Sequence, residues 1–178
     1  MDVNDLEFLV GNTYFSNHSR DDLLLFSENL DVVSFSEGDT LFAEGESDFN
    51  WYLIIDGEVS ISRESLHGPP HTLAELGSGE AFGEMALLEK TPRMASAIAV
   101  TEVRALQLTS ESFDQLVKNR DSVAVGMIRE MAIAQCQRLR EITTILQEIT
   151  DTRAIEEAMP KPNPLDLNTL IRSGLLLN

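Results

Sequence analysis

Two side chains of opposite charge, Glu84 and Arg93, bracket the stretch whose residue types and spacing could do chemistry: Phe-Gly-Glu-Met-Ala-Leu-Leu-Glu-Lys-Thr-Pro-Arg-Met-Ala-Ser-Ala, from Phe82 to Ala97. Gly83 has no side chain to hold a ligand away from the backbone. The helix-prone run it opens, Glu84 to Leu88, presents amide N–H groups without intrahelical partners, those of Met85 and Ala86 among them, at the positive end of a helix dipole. Such a turn suits an anion. Arg93 adds a permanently charged fork that fits phosphate oxygens. Glu84 repels a phosphate but accepts hydrogen bonds from sugar hydroxyls. An anion clamp beside a hydroxyl acceptor describes a sugar-phosphate site. Taken singly, each residue also has a plainer role: Arg93 pairing with an acid to hold a turn, Glu84 capping its own helix.

The elements that must position this stretch lie on both sides of it. Asp2 to Val10 reads as a short helix with Leu6, Leu9 and Val10 on one face. Ser19, followed by Asp21 and Asp22, is an N-cap for a second helix over Arg20 to Asn29, which packs through Leu23, Leu24, Phe26 and Leu30. His18, just before that cap, has no second imidazole nearby and reads as a surface residue. Val32–Phe35, Thr40–Phe42, Trp51–Ile55 and Glu58–Ser62 are strand-like and are punctuated by Gly38, Gly45 and Gly57. This spacing predicts a small β-barrel or sandwich, so the fold class is mainly β with flanking helices, α+β. Ala95 to Leu108 reads as two more strands with a bend at Thr101-Glu102; Ile98, Val100, Val103, Leu106 and Leu108 are expected to fill the barrel. Ser110 is expected to cap a helix carrying Phe113, Leu116 and Val117. A long helix follows from Asp121 to about Ile149, its apolar stripe running Val125, Ile128, Met131, Ala132, Leu139, Ile142, Ile145, Leu146 and Ile149.

Composition bounds the function. Thirteen basic and thirty acidic residues leave a net charge of −17, which argues against a nucleic-acid face or an anionic membrane surface as partner. Any phosphate must therefore be held by local groups. The single cysteine, Cys136, rules out an internal disulfide framework and suits a reducing compartment. Met1 to Val10 carries acids and no long apolar core, so no signal peptide is expected, and no apolar run reaches the ~20 residues a membrane helix needs. Together these predict a soluble, cytoplasmic protein. His67 and His71 cannot form a helical metal pair because Pro69-Pro70 lies between them. No metal and no catalytic residue is assigned: three scattered histidines and one cysteine do not make a cupin-type enzyme site or a nucleophile–base pair.

The stretch from Phe82 to Ala97 closely resembles the phosphate-binding cassette of cyclic nucleotide-binding domains: Phe-Gly-Glu, a small residue, an aliphatic, a spacer, then Arg and small residues. Phe82, Ala86, Leu87, Pro92, Arg93 and Ala95 all match. The order Gly38-Asp39, Gly45-Glu46 and Asp56-Gly57-Glu58 resembles the front half of the family's β-roll. One departure is local: Asp48 arrives a position early, with Phe49 where the family's Asp is expected. The resemblance implies a jelly-roll barrel with N-terminal helices and a long C-terminal helix. It implies that Arg93 grips the exocyclic phosphate oxygens, that Glu84 takes the ribose 2′-hydroxyl, and that backbone N–H groups of Gly83, Met85, Ala86 and Ala95 line the cassette. Phe82 belongs to the same ligand-binding run. Met94 stands where members that prefer cGMP often carry Thr or Ser, so the resemblance leans to cAMP, with cGMP the alternative ligand. No cofactor is implied beyond the nucleotide itself.

The expected organisation is an N-terminal lead-in over 1–31, the β-roll with its C-terminal helices over 32–150, and a linker with an apolar tail over 151–178. The resemblance also implies that ligand capture moves the C-terminal helices. The stripe over 125–149 is long enough to lid the base with its first half and form a homodimer with its second. The tail, containing Pro160, Pro162 and Pro164, is too short and too weakly basic for a helix-turn-helix. Output would therefore pass to an unknown downstream protein. The alternative reading is a degenerate domain that keeps the roll as an interaction surface, with Arg93 tied up in a salt bridge.

Overall fold

In the computed structural model, which describes residues 1–65 and 68–158 with side chains up to residue 150, two four-stranded antiparallel sheets enclose the interior. His67 and the expected tail from residue 159 onward lie outside the described residues. Helix α1 (Val3–Gly11) starts at Asp2, which forms a reciprocal capping box with Asp5. A 3₁₀ turn (Thr13–Phe15) leads to α2 (Arg20–Ser27), capped as expected by Ser19 through the Asp22 N–H. The strands are β1 (Leu30–Phe35), β2 (Thr40–Phe42), β3 (Trp51–Asp56), β4 (Val59–Arg63), β5 (His71–Leu76), β6 (Ala81–Phe82), β7 (Ser96–Ala99) and β8 (Val103–Leu108). Helix α3 (Glu84–Glu89) sits between β6 and β7; α4 (Ser110–Lys118) and α5 (Ser122–Ala158) close the described chain. One sheet runs β1-β8-β3-β6, the other β2-β7-β4-β5. This is the expected α+β jelly roll with a C-terminal helix. Strand β5 pairs with β4 from Val59↔Leu76 to Arg63↔His71.

Two apolar clusters hold the fold. One joins Leu9, Phe15, Leu23, Phe26, Trp51, Leu106 and Phe113 to Val123, Ala124, Met127 and Met131 of α5. The other lies between the sheets: Phe42, Tyr52, Ile54, Val59, Phe82, Ala97, Ala99, Val103 and Ala105. In β7 the inward residues are therefore alanines, while Ile98 is half-buried and Val100 exposed, contrary to the sequence reading. The stacked rings of Tyr52 and Phe82, 5.2 Å apart, and Phe42 beside them occupy the space that bulky residues on β7 would need. The expected stripe on α5 holds at Met131, which is buried, and at Ile128, which packs on the core, but not throughout. Val125 and Ala132 are exposed, and Val123, Ala124 and Met127 turn inward instead. The helix-starting cap at α4 is Thr109, not Ser110: Thr109 Oγ1 accepts from the Ser112 N–H at 3.2 Å.

Compact packing separates Met1–Ala132 from a second unit that begins at Ile133. Within the latter, Leu139, Ile142, Ile145, Leu146 and Ile149 are all exposed. No helix among the described residues is long and apolar enough to cross a membrane.

Candidate functional site

Gly83 is the N-cap of α3 and lies in the left-handed region, φ 89°, where any side chain is disfavoured. A Cβ there would fall 2.6 Å from the Asn50 carbonyl oxygen and 2.8 Å from Arg93 Nη1. Glycine thus lets three elements meet: the β2–β3 loop, the start of α3 and the arginine that follows it. Phe82, one residue earlier, is buried against Tyr52. Glu84 and Met85 occupy the half-buried first turn of α3, and Ala86 is buried behind them.

Arg93 turns inward. Its side chain is only 2% exposed, an unusual place for a guanidinium unless it is held by specific partners. Nη2 donates to Asp48 Oδ2 at 2.8 Å and to the Asn50 carbonyl at 2.7 Å; Nη1 donates to the Gly83 carbonyl at 3.3 Å. Its Cζ stands 3.7 Å over the Phe42 ring, a cation–π contact. The main chain is fixed as well: Arg93 N–H donates to the Glu46 carbonyl, and its carbonyl accepts from Gly45 N–H. The buried Nε–H has no partner. A guanidinium has five N–H donors; the three bonds above leave the buried Nε–H and one Nη1–H uncommitted.

Asp48, one position early in sequence, still reaches Arg93, because its other oxygen accepts from the Asn50 N–H at 3.2 Å and shapes the loop accordingly. Met94 is 52% exposed and Ala95 half-buried. Ser96 Oγ accepts from the Glu44 N–H at 2.9 Å. All eight sequence-predicted residues, Phe82, Gly83, Glu84, Met85, Ala86, Arg93, Met94 and Ala95, therefore lie on or beside one continuous turn. Asp48, Asn50 and Phe42 complete the cage. Asp48 had a sequence signal in the displaced Ser-Asp pair; Asn50 and Phe42 had none, since a carbonyl and a ring face become partners only across the folded roll.

The aromatic wall carries further electrostatic information. Burial pushes the Tyr14 hydroxyl well above the usual phenol range, and the carboxylates of Glu84 and Glu130 push it the same way. Tyr14 thus lies within the field of the cassette glutamate. Tyr52 is also raised, by burial and then by Asp48, against the lowering influence of Gln107, Asn50 and Arg93. A separate cleft of about 290 Å³ is lined by Tyr14, Asn17, His18, Gly126, Arg129 and Glu130 and shares no residue with the cassette. His18, expected at the surface, is half-buried there. Its ring takes the space beside Gly126, where a Cβ would come 2.2 Å from Nε2.

Comparison with known proteins agrees with this geometry. The family model described as cyclic nucleotide-binding domain matches residues 32–120. The CRP-like cAMP-activated global transcriptional regulator of Mycobacterium tuberculosis is 32% identical over 126 residues, covering 71% of this chain and 54% of the relative. The cyclic AMP receptor protein of Thermus thermophilus is 36% identical over 141 residues, covering 79% and 61%. The chain thus spans between half and two thirds of the length of these relatives. Among solved structures, the Thermus thermophilus catabolite activator protein superposes with a TM-score of 0.67 at 31% identity, over 77% of this chain and 62% of that one. The regulatory domain of Toxoplasma gondii PKA with cAMP shares the fold, with a TM-score of 0.61 at 22% identity over 71% and 48%.

Proposed function

The chain belongs to the cyclic nucleotide-binding domain family, and on that premise we propose that it is a sensor for a cyclic nucleotide, cAMP in preference to cGMP. The observation that carries this reading is the buried Arg93, with its Nε–H uncommitted and its Nη1 against the glycine that starts α3. Fixed in place by Asp48, Asn50 and Phe42, the guanidinium needs little reorganisation to meet a phosphate, and the low local polarity strengthens the contact. Main-chain N–H groups of the cassette supply the remaining donors. Glu84 takes the ribose hydroxyl, and Met94 offers no hydroxyl to a guanine. The overall charge of −17 disfavours anions in general, so selectivity rests on this local cage. Binding without turnover is the proposed activity, in keeping with the regulatory character of the relatives.

The proposed effector unit is 32–150. Its C-terminal helices pass the signal on, because a ligand that favours one helix arrangement shifts its population. The exposed residues Leu139, Ile142, Ile145, Leu146 and Ile149 fit a homodimer seam within 125–149. Sedimentation should then give twice the chain mass, and Ile142→Glu with Leu146→Glu should return it to one. A downstream protein, not nucleic acid, is the proposed recipient of the signal.

The Arg93–Asp48 pair supports a second reading, a roll whose arginine is satisfied internally and binds nothing. Calorimetric titration decides between the two. The sensor takes up cAMP with measurable heat and cGMP more weakly; absence of heat with both leaves the interaction module.

A further inference from the structure

Asn50 touches the cassette with its backbone and the helical region with its side chain. Its carbonyl accepts from Arg93 Nη2 at 2.7 Å, while its Oδ1 accepts from the Ser110 N–H at 3.3 Å. Ser110 begins α4, where the first N–H groups have no intrahelical partner and must be satisfied from outside. Thr109 serves the N–H of Ser112, and Asn50 serves that of Ser110. From the other side, Ser110 Oγ accepts from Lys90 Nζ, which also lies 3.1 Å from Asp114 Oδ1 one turn further along α4. Lys90 is the C-cap of α3 and holds a left-handed conformation, φ 55°. That conformation is disfavoured for a lysine and persists only where surrounding contacts hold it. Both ends of the cassette therefore converge on the first turn of α4, the Arg93 end through Asn50 and the α3 end through Lys90.

We propose that Asn50 is a positioning residue that couples the arginine clamp to the start of α4, so that a change in how Arg93 is held is felt at Ser110. Its carbonyl and its side-chain oxygen belong to one residue, which the Asp48 Asx contact keeps from swivelling. Displacing one contact must strain the other. The inference concerns the regulation of the proposed cyclic nucleotide site and rests on that reading for its biological use, but the coupling itself does not need the ligand.

Amide exchange measured by NMR on the full chain tests it. In the nucleotide-free protein, Asn50→Ala should speed exchange at Ser110 about fivefold, the weight of one hydrogen bond. Arg93→Ala should speed it as well, and the double variant should show no further increase. Additive effects of the two substitutions would overturn the coupling. If Asn50→Ala does not fold, Arg93→Ala alone carries the test. Exchange at Ser110 must then rise while that at Ala124, whose N–H goes to Asp121 Oδ1 at 3.0 Å, stays unchanged. Equal changes at both would mean general loosening and would refute the relay. A titration without heat for cAMP and cGMP would remove the sensor reading and leave the exchange result standing, so the two failures are distinguishable.

Discussion

Two arginine–aspartate pairs in this molecule are built in opposite senses. In the Arg93–Asp48 pair the cation is sealed, 2% exposed, and the carboxylate is 28% exposed; in the Arg104–Asp5 pair the carboxylate is sealed, 1% exposed, and the guanidinium is 39% exposed. Asp5 Oδ2 accepts from Arg104 Nη2 at 2.9 Å and from the Asp2 N–H at 2.9 Å; its Oδ1 stands 2.7 Å from the same Nη2, in ionic contact but outside hydrogen-bonding angle. This pair fastens α1 to β8 and looks inward to the protein alone. The Arg93 pair leaves the buried Nε–H without a partner. The difference lies in which partner is buried and in what its unfilled atom meets: Asp5 Oδ1 still faces the Arg104 cation at 2.7 Å, whereas Arg93 Nε–H has no partner. The buried Asp5 anion fastens a helix cap to a strand; the buried Arg93 cation, with donors left over, is what the proposed nucleotide site would use.

The largest expected effect falls on the receptor. Arg93→Ala should weaken cAMP binding by about 3 kcal/mol, the range for charged hydrogen bonds lost from a partly buried phosphate; calorimetry that returned the wild-type affinity would dissolve the contrast between the pairs. Arg104→Ala should do the reverse. It leaves the Asp5 carboxylate buried without its cation and should lower unfolding stability by about 2–3 kcal/mol in denaturant titration, slightly below the range for broken buried pairs because Arg104 is partly solvated. Nucleotide affinity should not change. A smaller effect links the two properties: Gly83→Ala places a methyl against Asn50 and Arg93 in a left-handed backbone. It should cost about 1–3 kcal/mol of stability and weaken binding in the same preparation.

The smallest effect concerns the aromatic wall and belongs to neither pair. Burial first, then Glu84 and Glu130, raise the Tyr14 hydroxyl above its ordinary value. The folded state therefore favours the neutral phenol. Stability is fully present below the unfolded phenol value near pH ~10 and is lost as pH rises above it. Tyr14→Phe should flatten part of that alkaline decline, while Tyr52, also raised, keeps a remainder. An unchanged slope in the variant would place the titration elsewhere.

The cassette, the N-terminal helices and the strand order around Gly38, Gly45 and Gly57 were legible because each is a local pattern: a cap, an alternation, a glycine before a helical turn. Ser19 and the bend at Thr101-Glu102 fall where their neighbours alone require. What failed to read was phase. Ile98 and Val100 are more hydrophobic than Ala97 and Ala99, yet the alanines face the interior, since Phe42, Tyr52 and Phe82 from other strands already fill it. The first turns of α5 carry apolar residues on several sides. Which side turns inward is decided by the core it meets and by His18 seated at Gly126, not by the helix itself.

The amino-acid sequence by itself determined that a glycine-started turn, a carboxylate and an arginine would stand together within a β-roll, because residues a few positions apart cannot avoid one another. Only the tertiary structure decided that Arg93 would be buried, oriented by Asp48, Asn50 and Phe42, with its Nε–H unpartnered. Those partners lie more than forty positions away in the chain. Their meeting depends on how two sheets close around a shared interior, a property of packed volume that no local pattern carries.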